Sequence, residues 1–343
     1  MISKKQIRKI QMNNKKPIIG FTFGDPEGIG PEIIFKTLRD FKQNQQFFPV
    51  IYGSKQLLNH DFIKPLVADL AIKHHFPVAG DEHENSCYFI HTCDYAIQGN
   101  KSSSAAGGQA SLSYLDRAIS DAKINKIDGI VTAPISKESF KYAEIPFTGH
   151  TTLLKKRTNS PSVSMGFYSP KLKVVLATIH HSLSAVPSLL TQDHIRNAIH
   201  AAVSLMQKCG VNKPRIAVAG LNPHASENGL FGNEEASIIE PVVKEHQSEG
   251  GHVYGPFPAD TIFRRAIDGE FDIVIAMYHD QGLIPIKTIS FYESVNVTCG
   301  LPFERTSPDH GTAFDIAYSG KASHQSLQAA TNLMLKILRN RVS

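Results

Sequence analysis

No stretch of about 18 apolar residues occurs anywhere in this chain, so no membrane-spanning helix is expected. Cysteine is scarce. Cys87, Cys93, Cys209 and Cys299 are the four, and none stands in Cys-x-x-Cys spacing. That pattern argues against a thiolate zinc site, and free thiols in a reducing cytoplasm are expected. There is no internal repeat and no low-complexity segment outside the first residues. Acidic residues are missing from positions 1–16, which carry Lys4, Lys5, Arg8, Lys9, Lys15 and Lys16. Setting those six positive charges aside turns the formal net charge of +5 into −1. The basic segment is therefore read as a solvated, disordered tail on a nearly neutral body, not as a nucleic-acid arm. No apolar run follows it, so it is not read as a secretory signal.

What is present is ordinary for a globular chain of 343 residues: 41% hydrophobic and 20% charged. That length suggests two domains. Short apolar runs alternate with longer helix-like stretches, the pattern of an α/β protein with largely parallel sheets flanked by helices. Strands are expected at Pro17–Phe23, Phe48–Tyr52, Tyr88–His91, Ile127–Thr132, Lys173–Ile179, Arg215–Ala219 and Asp272–Tyr278. Residues 99–110, rich in Gly, Ser and Ala, read as a loop into a helix at about Ala110–Lys123.

Three strand signals end at or just before histidine: His180, His224 and His279. Ligands of open α/β sheets bind beyond the carboxyl ends of the strands. Three such strands can bring three imidazoles to one sheet edge, where they would hold a zinc-like divalent ion and leave positions open for substrate. The chain has 16 histidines, so chance placement competes with this reading, and the pattern does not choose between His180 and His181. Asp280 follows His279 directly, and Asp260 lies in Pro258-Ala259-Asp260-Thr261. Either can orient a ligand or take a proton, and Asp260 can equally cap a helix over Thr261–Ala266.

Two loops contain glycines at suggestive spacing. Gly24-Asp25-Pro26-Glu27-Gly28-Ile29-Gly30-Pro31-Glu32 is not the dinucleotide fingerprint, because Ile33 takes the third glycine's place, and no Gly-Lys-Ser/Thr makes it a P-loop. Asp309-His310-Gly311-Thr312-Ala313-Phe314-Asp315 can approach a ligand closely at Gly311, with Asp309 or Asp315 accepting from a ribose hydroxyl, or can be a simple turn and cap. Lys287, Asn296 and Arg305, with His150 and Thr151 after Phe147-Thr148-Gly149, can serve an anionic substrate.

Seven segments in order, spread over about residues 17–340, carry a resemblance. They are G-D-P-E-G-I-G-P-E at 24–32, V-T-A-P-I-S-K at 131–137, T-G-H-T at 148–151 and A-T-I-H at 177–180. G-L-N-P-H-A at 220–225, A-M-Y-H-D-Q-G at 276–282 and N-V-T-C-G-L-P-F-E-R-T-S-P-D-H-G-T-A at 296–313 complete the set. The chain resembles the 4-hydroxythreonine-4-phosphate dehydrogenase (PdxA) family of pyridoxal phosphate biosynthesis. The G-I-G-P-E turn and H-G-T-A loop are also similar to the metal-dependent dehydrogenases of isocitrate and isopropylmalate.

The resemblance implies a two-domain, isocitrate/isopropylmalate dehydrogenase-like α/β fold with an interdomain active site. Its domains would be 17–135 with 300–343, and 136–299. It implies His180, His224 and His279 as ligands of one divalent ion (Zn, Mg or Co), which selects His180 over His181. It implies substrate binding by His150, Thr151, Lys287, Asn296 and Arg305. NAD or NADP would sit on Asp309, His310, Gly311, Thr312 and Asp315, with Asp260 or Asp280 as proton acceptor. The implied reaction is oxidation of a small phosphorylated amino acid at its C3 hydroxyl, by a homodimer with ligands from both chains. Relatives acting on threonate or erythronate 4-phosphate, and more distantly a metal-dependent hydrolase, are the alternatives. Glu27 and the segment His181-Ser182-Leu183-Ser184 depart from the family pattern, and the second leaves substrate choice open.

Overall fold

The computed structural model describes residues 16–42, 46–78 and 85–342. Lys4 to Lys15 of the basic tail lie outside the described residues. Among the described residues twelve strands occur: β1 Ile18–Thr22, β2 Phe48–Gly53, β3 Ala71–Lys73, β4 Ser86–His91, β5 Gly129–Thr132, β6 Ser164–Tyr168, β7 Lys173–Leu176, β8 Ile216–Ala219, β9 Val253–Phe257, β10 Ile273–Ala276, β11 Val295–Cys299 and β12 Glu304–Pro308. All seven strands expected from the apolar runs are among them. No helix of the described residues is long and apolar enough to cross a membrane.

The described residues form two compact units, those within 1–160 and 301–343 and those within 161–300. The domain boundary drawn from the sequence at 135/136 differs from this division, which keeps residues 136–160 in the first unit. The helix Lys137–Tyr142 packs against the helix Ala105–Lys123, and Arg157 of the next helix pairs with Asp116 at 2.7 Å.

The first unit's strands run β3-β4-β2-β1-β5-β12, and every pairing is parallel. Strands buried on both faces need apolar residues at nearly every position. Ile19, Phe21, Val50, Ile51, Ile130 and Val131 accordingly have no accessible surface. β12 breaks that rule and is not among the strands expected from apolar runs. Its sequence is Glu-Arg-Thr-Ser-Pro, yet all five residues are buried. Its polar groups are satisfied within the unit, with Thr306 donating to the Ala330 carbonyl at 2.9 Å.

The helix expected from Ala110 begins instead at Ala105, capped by Ser104, whose Oγ accepts from Gly107 N at 3.0 Å. Gly107 and Gly108 read as loop because each costs about 1 kcal/mol in a helix. They stand here for lack of room. A Cβ on Gly107 would lie 2.9 Å from Asp25 Oδ1, and one on Gly108 would lie 2.3 Å from the Ser139 carbonyl oxygen.

The second unit's strands run β11-β6-β7-β10-β8-β9. β11 and β7 flank β6 antiparallel, while β7, β10, β8 and β9 are mutually parallel neighbours. Its core gathers Phe167, Val174, Leu176, Ala217, Ile262, Val274 and Ile286 beneath the helices Ala259–Ile267 and His279–Ser290. The order β7-β10-β8 sets three parallel carboxyl ends side by side.

Candidate active site

Those three ends carry the three histidines. His180 follows β7, His279 follows β10 and begins the helix His279–Ser290, and His224 follows β8. The first two meet: the ring centroids of His180 and His279 are 5.7 Å apart, tilted by 39°. His279 Nδ1 lies 2.7 Å from Asp280 Oδ1. With Nδ1–H donating to that carboxylate, the neutral ring keeps Nε2 for a metal, the usual device by which a carboxylate orients a histidine ligand.

Side chains beneath the histidines fasten the strand ends to one another. Thr178, two residues before His180, donates from N and Oγ1 to the Met277 carbonyl at 3.1 and 2.6 Å. Met277 N donates to Gln281 Oε1 at 2.6 Å, and Gln281 Nε2 donates to the Gly220 carbonyl at 2.8 Å. Thr178 and Gln281 lie inside two of the segments that carry the family resemblance, but nothing in a linear pattern marks a polar side chain for burial at a strand end.

His224 is held differently. Residues His224, Ala225, Ser226, Glu227 and Asn228 have φ of 55, 52, 70, 44 and 59°, a continuous left-handed turn without glycine. Such backbone costs about 1–2 kcal/mol per residue, so it persists only where its surroundings enforce it. Ser226 anchors it, donating to the Gly232 carbonyl at 2.7 Å and accepting from Gly229 N at 2.8 Å. The His224 ring lies 6.1 Å from that of Phe231. Among the described residues no three His, Cys, Asp or Glu side chains are grouped so as to hold a metal ion. The donor chemistry suits a divalent ion, and two of the three histidines, His180 and His279, have their rings together.

Asp260 is not the cap considered above. Pro258 caps the helix Ala259–Ile267, and Asp260 lies exposed in its first turn. That helix packs against the His224 turn. Lys287 and Asn296 are both half-buried in this unit, on the helix after His279 and on β11.

The first unit holds His150, Thr151, Arg305 and the loop 309–315. Arg305 of β12 is 3% exposed, and its Nε and Nη2 donate to Thr132 Oγ1 at 3.1 and 2.7 Å. Burial lowers its pKa to about 9, which still leaves it charged at neutral pH. His150 is pushed well below the ordinary histidine value, first by burial and then by the charge of Arg305. Its Nε2 is shielded from solvent and has no hydrogen-bond partner. A buried ring nitrogen without a partner is uncommon enough to suggest a ligand. His150 and Thr151 open the helix His150–Thr158, which has no side-chain cap and no acid in its first turn. Such an end, with a charged guanidinium in the same unit, suits an anion.

The two glycine loops pack together. Ile29 N donates to the Thr312 carbonyl at 3.0 Å, and a Cβ on Gly28 would come within 2.9 Å of that oxygen. Asp309 and His310 are half-buried, while Gly311 and Asp315 are exposed, with open space beside Gly311. The turn 24–32 carries buried carboxylates. Asp25 accepts from Ser139 Oγ at 2.6 Å and Glu27 N at 3.1 Å. Glu27, the departure noted above, accepts from Tyr95 OH at 2.9 Å and Gln98 N at 2.7 Å, tying residues 95–98 to the turn.

The chain matches the family model described as pyridoxal phosphate biosynthetic protein PdxA over residues 45–334. It is 40% identical over 333 residues to a 4-hydroxythreonine-4-phosphate dehydrogenase of Desulfosudis oleivorans, covering 94% of this chain and 96% of that one. It is 38% identical over 328 residues to a D-threonate 4-phosphate dehydrogenase of Pectobacterium atrosepticum, covering 93% and 99%. The crystal structure of the 4-hydroxythreonine-4-phosphate dehydrogenase of Klebsiella pneumoniae superposes with a TM-score of 0.81 at 37% identity, over 94% of this chain and 98% of that one. Isocitrate dehydrogenase of Methylococcus capsulatus shares the fold alone, with a TM-score of 0.51 at 12% identity over 95% of this chain and 88% of that one.

Proposed function

Since the chain belongs to the PdxA family, we propose that it is a metal- and nicotinamide-dependent dehydrogenase of 4-phosphooxy-L-threonine. The reaction is oxidation at C3. The C3–H leaves as hydride and the hydroxyl proton leaves to a base, giving 2-amino-3-oxo-4-phosphooxybutanoate. That β-keto acid loses its carboxylate as CO₂, because the ketone takes up the electron pair, and 3-amino-2-oxopropyl phosphate remains. The observation that carries the reading is the meeting of His180 and His279 at adjacent parallel strand ends, 5.7 Å apart, with His224 on the third.

His180, His224 and His279 would hold a divalent ion (zinc, magnesium or cobalt), which would supply Lewis acidity at the alcohol, and a bound NAD or NADP would serve as hydride acceptor. The protein's own groups do the rest. Asp280 keeps the His279 ring in the ligating tautomer. Asp260, exposed and unengaged by that task, takes the hydroxyl proton. Arg305 provides fixed positive charge for phosphate or carboxylate, and His150, with Thr151 at its helix end, donates or accepts beside it. Lys287 and Asn296 are the other side chains we assign to substrate binding. The loop 309–315 carries the dinucleotide through Asp309, His310, Gly311, Thr312 and Asp315.

We also propose a homodimer. Each histidine-bearing segment exposes apolar side chains: Leu183 after His180, Leu230 and Phe231 after His224, and Ile284, Phe291 and Tyr292 after His279. A second copy would cover them, and the ligand set would then draw on both chains. Sedimentation showing a monomer at micromolar concentration would remove this part of the proposal.

A second reading has a specific observation in its favour. The relative of 99% coverage is named for D-threonate 4-phosphate, which carries a hydroxyl where threonine has its amino group. Formation of NADH from each substrate, offered singly and in competition, separates the two. Absence of NADH with both, or full activity after exhaustive chelation, would sink the dehydrogenase reading or its metal.

A further inference from the structure

We propose that Glu235 and Gln281 are positioning residues that brace the peptide run Gly220–Asn222 from two sides and so set where His224 stands. The inference rests on the reading of His224 as a metal ligand.

A left-handed turn of five residues does not hold itself in place. Its entry must be fixed, and here nearly every polar group of the entry is taken. Glu235 is 2% exposed, and its Oε1 accepts from Leu221 N at 2.8 Å and Asn222 N at 2.7 Å. Its Oε2 accepts from Asn222 Nδ2 at 2.9 Å. Three donors converge on one carboxylate, and only an acceptor-only group satisfies all three. From the other side, Gln281 gives Nε2–H to the Gly220 carbonyl at 2.8 Å while its Oε1 takes Met277 N at 2.6 Å. Gly220 N is spent on the Phe257 carbonyl at 2.8 Å. Residue 220 must also be glycine, because a Cβ there would lie 2.9 Å from Ala225 Cα and 3.1 Å from Glu235 Oε1.

The consequence is geometric. One buried amide, that of Gln281, spans the two strand ends that carry His279 and His224, and so fixes their separation. One buried carboxylate fixes the direction in which the chain leaves β8 toward His224. Asn222 is held further by Glu234 Oε2 at 2.7 Å from its Nδ2. Neither Glu235 nor Gln281 needs to touch the metal to control it. A ligand that must adopt its place on binding gives up affinity that a pre-set ligand keeps.

Isosteric exchanges test this without opening a cavity. Glu235→Gln sets an NH₂ against N–H or NH₂ donors, and Gln281→Glu sets a second acceptor against the Gly220 carbonyl. The full chain, stripped of metal by chelation, is titrated with Co(II) alone, and thermal unfolding of each variant is followed in parallel. Each variant is expected to weaken Co(II) binding about 10- to 100-fold. The double variant is expected to lose less than the product of the two, since both act through the same three residues. His224→Ala serves as the control. Wild-type Co(II) affinity in a folded Glu235→Gln or Gln281→Glu, beside weakened binding in His224→Ala, overturns the brace and leaves the ligand assignment standing. Undiminished binding in His224→Ala overturns the assignment and the brace with it. If Glu235→Gln does not fold, Gln281→Glu decides the matter alone.

Discussion

The two units solve the same problem in opposite ways. Both place loops at the carboxyl ends of parallel strands. The first unit closes its loops inward. Asp25, Glu27 and Glu32 of the turn 24–32 are essentially inaccessible, and the glycines around them admit no Cβ. The second unit leaves its loops open. His180 and His224 are exposed, and the turn bearing His224 is left-handed throughout. Closure of the first kind makes a rigid platform for a loop such as 309–315. Openness of the second kind leaves the imidazoles accessible, and the cost is backbone strain held by Glu235, Gln281 and Ser226. Function placed on strained, open backbone and stability placed on buried, packed backbone should respond to different substitutions.

The largest effect is expected from His279→Ala. Loss of a Lewis-acid ligand should lower kcat/KM at least about 100-fold, while the unfolding temperature hardly moves. Steady-state rates and a thermal scan on one preparation check both halves, and a large fall in stability would break the contrast between the units.

Next comes Gly108→Ala in the first unit. Alanine is the better helix former, yet its Cβ would meet the Ser139 carbonyl at 2.3 Å. Overpacking should win by about 2 kcal/mol, destabilising the protein with little change in activity per folded molecule. Urea unfolding measures this, and a more stable variant would show that the two helices separate more easily than their packing implies.

Ala225→Gly in the second unit should do the reverse. Relief at φ 52° outweighs the entropy glycine adds to the unfolded chain, for a net gain of about 0.5–1 kcal/mol. Metal affinity should fall at the same time, because the turn is looser. A gain in stability with no change in Co(II) affinity would show that strain at this residue is incidental to the site.

The smallest effects are in pH dependence, and they have opposite sign in the two units. Burial raises Asp25 above its ordinary 3.8, against the hydrogen bonds from Ser139 and Glu27. The folded first unit therefore holds a proton that the unfolded chain has lost, and its stability declines as pH rises from 3.8 toward the raised value. Burial would raise Asp272 too, but hydrogen bonds from the Arg215 side chain and backbone outweigh it and the net shift is downward. Its contribution is present above 3.8 and is lost as pH falls through the lowered value. Asp25→Asn should remove the first slope and Asp272→Asn the second, each worth roughly 0.5 kcal/mol. Hydrogen exchange resolved by peptide, across this acidic range, reads the units separately. Slopes of the same sign in both would end the contrast.

The alternation of apolar runs was enough to locate seven strands, the α/β class and the three histidines after β7, β8 and β10. A buried parallel strand must be apolar along its length, and that requirement is written locally. β12 was illegible for the same reason: Glu304, Arg305, Thr306 and Ser307 look like a surface loop until their partners, such as Thr132 and Ala330, are in place. The helix start at Ala105 was hidden by Gly107 and Gly108, whose purpose lies in Asp25 and Ser139, distant in the chain.

Residue types, strand-end positions and family membership are therefore properties of the sequence by itself. Tertiary structure alone decided that β7, β10 and β8 are neighbours in that order, that His180 meets His279, and that His224 stands on a left-handed turn. It also gave Thr178, Glu235 and Gln281 their work as buried fastenings, which no linear pattern assigned. The reason is physical. Periodicity records whether a residue faces water or core, a one-body property. Sheet order, ring-to-ring distance and the sharing of a buried carboxylate among three donors are relations between residues far apart in sequence, and they exist only once the chain has closed.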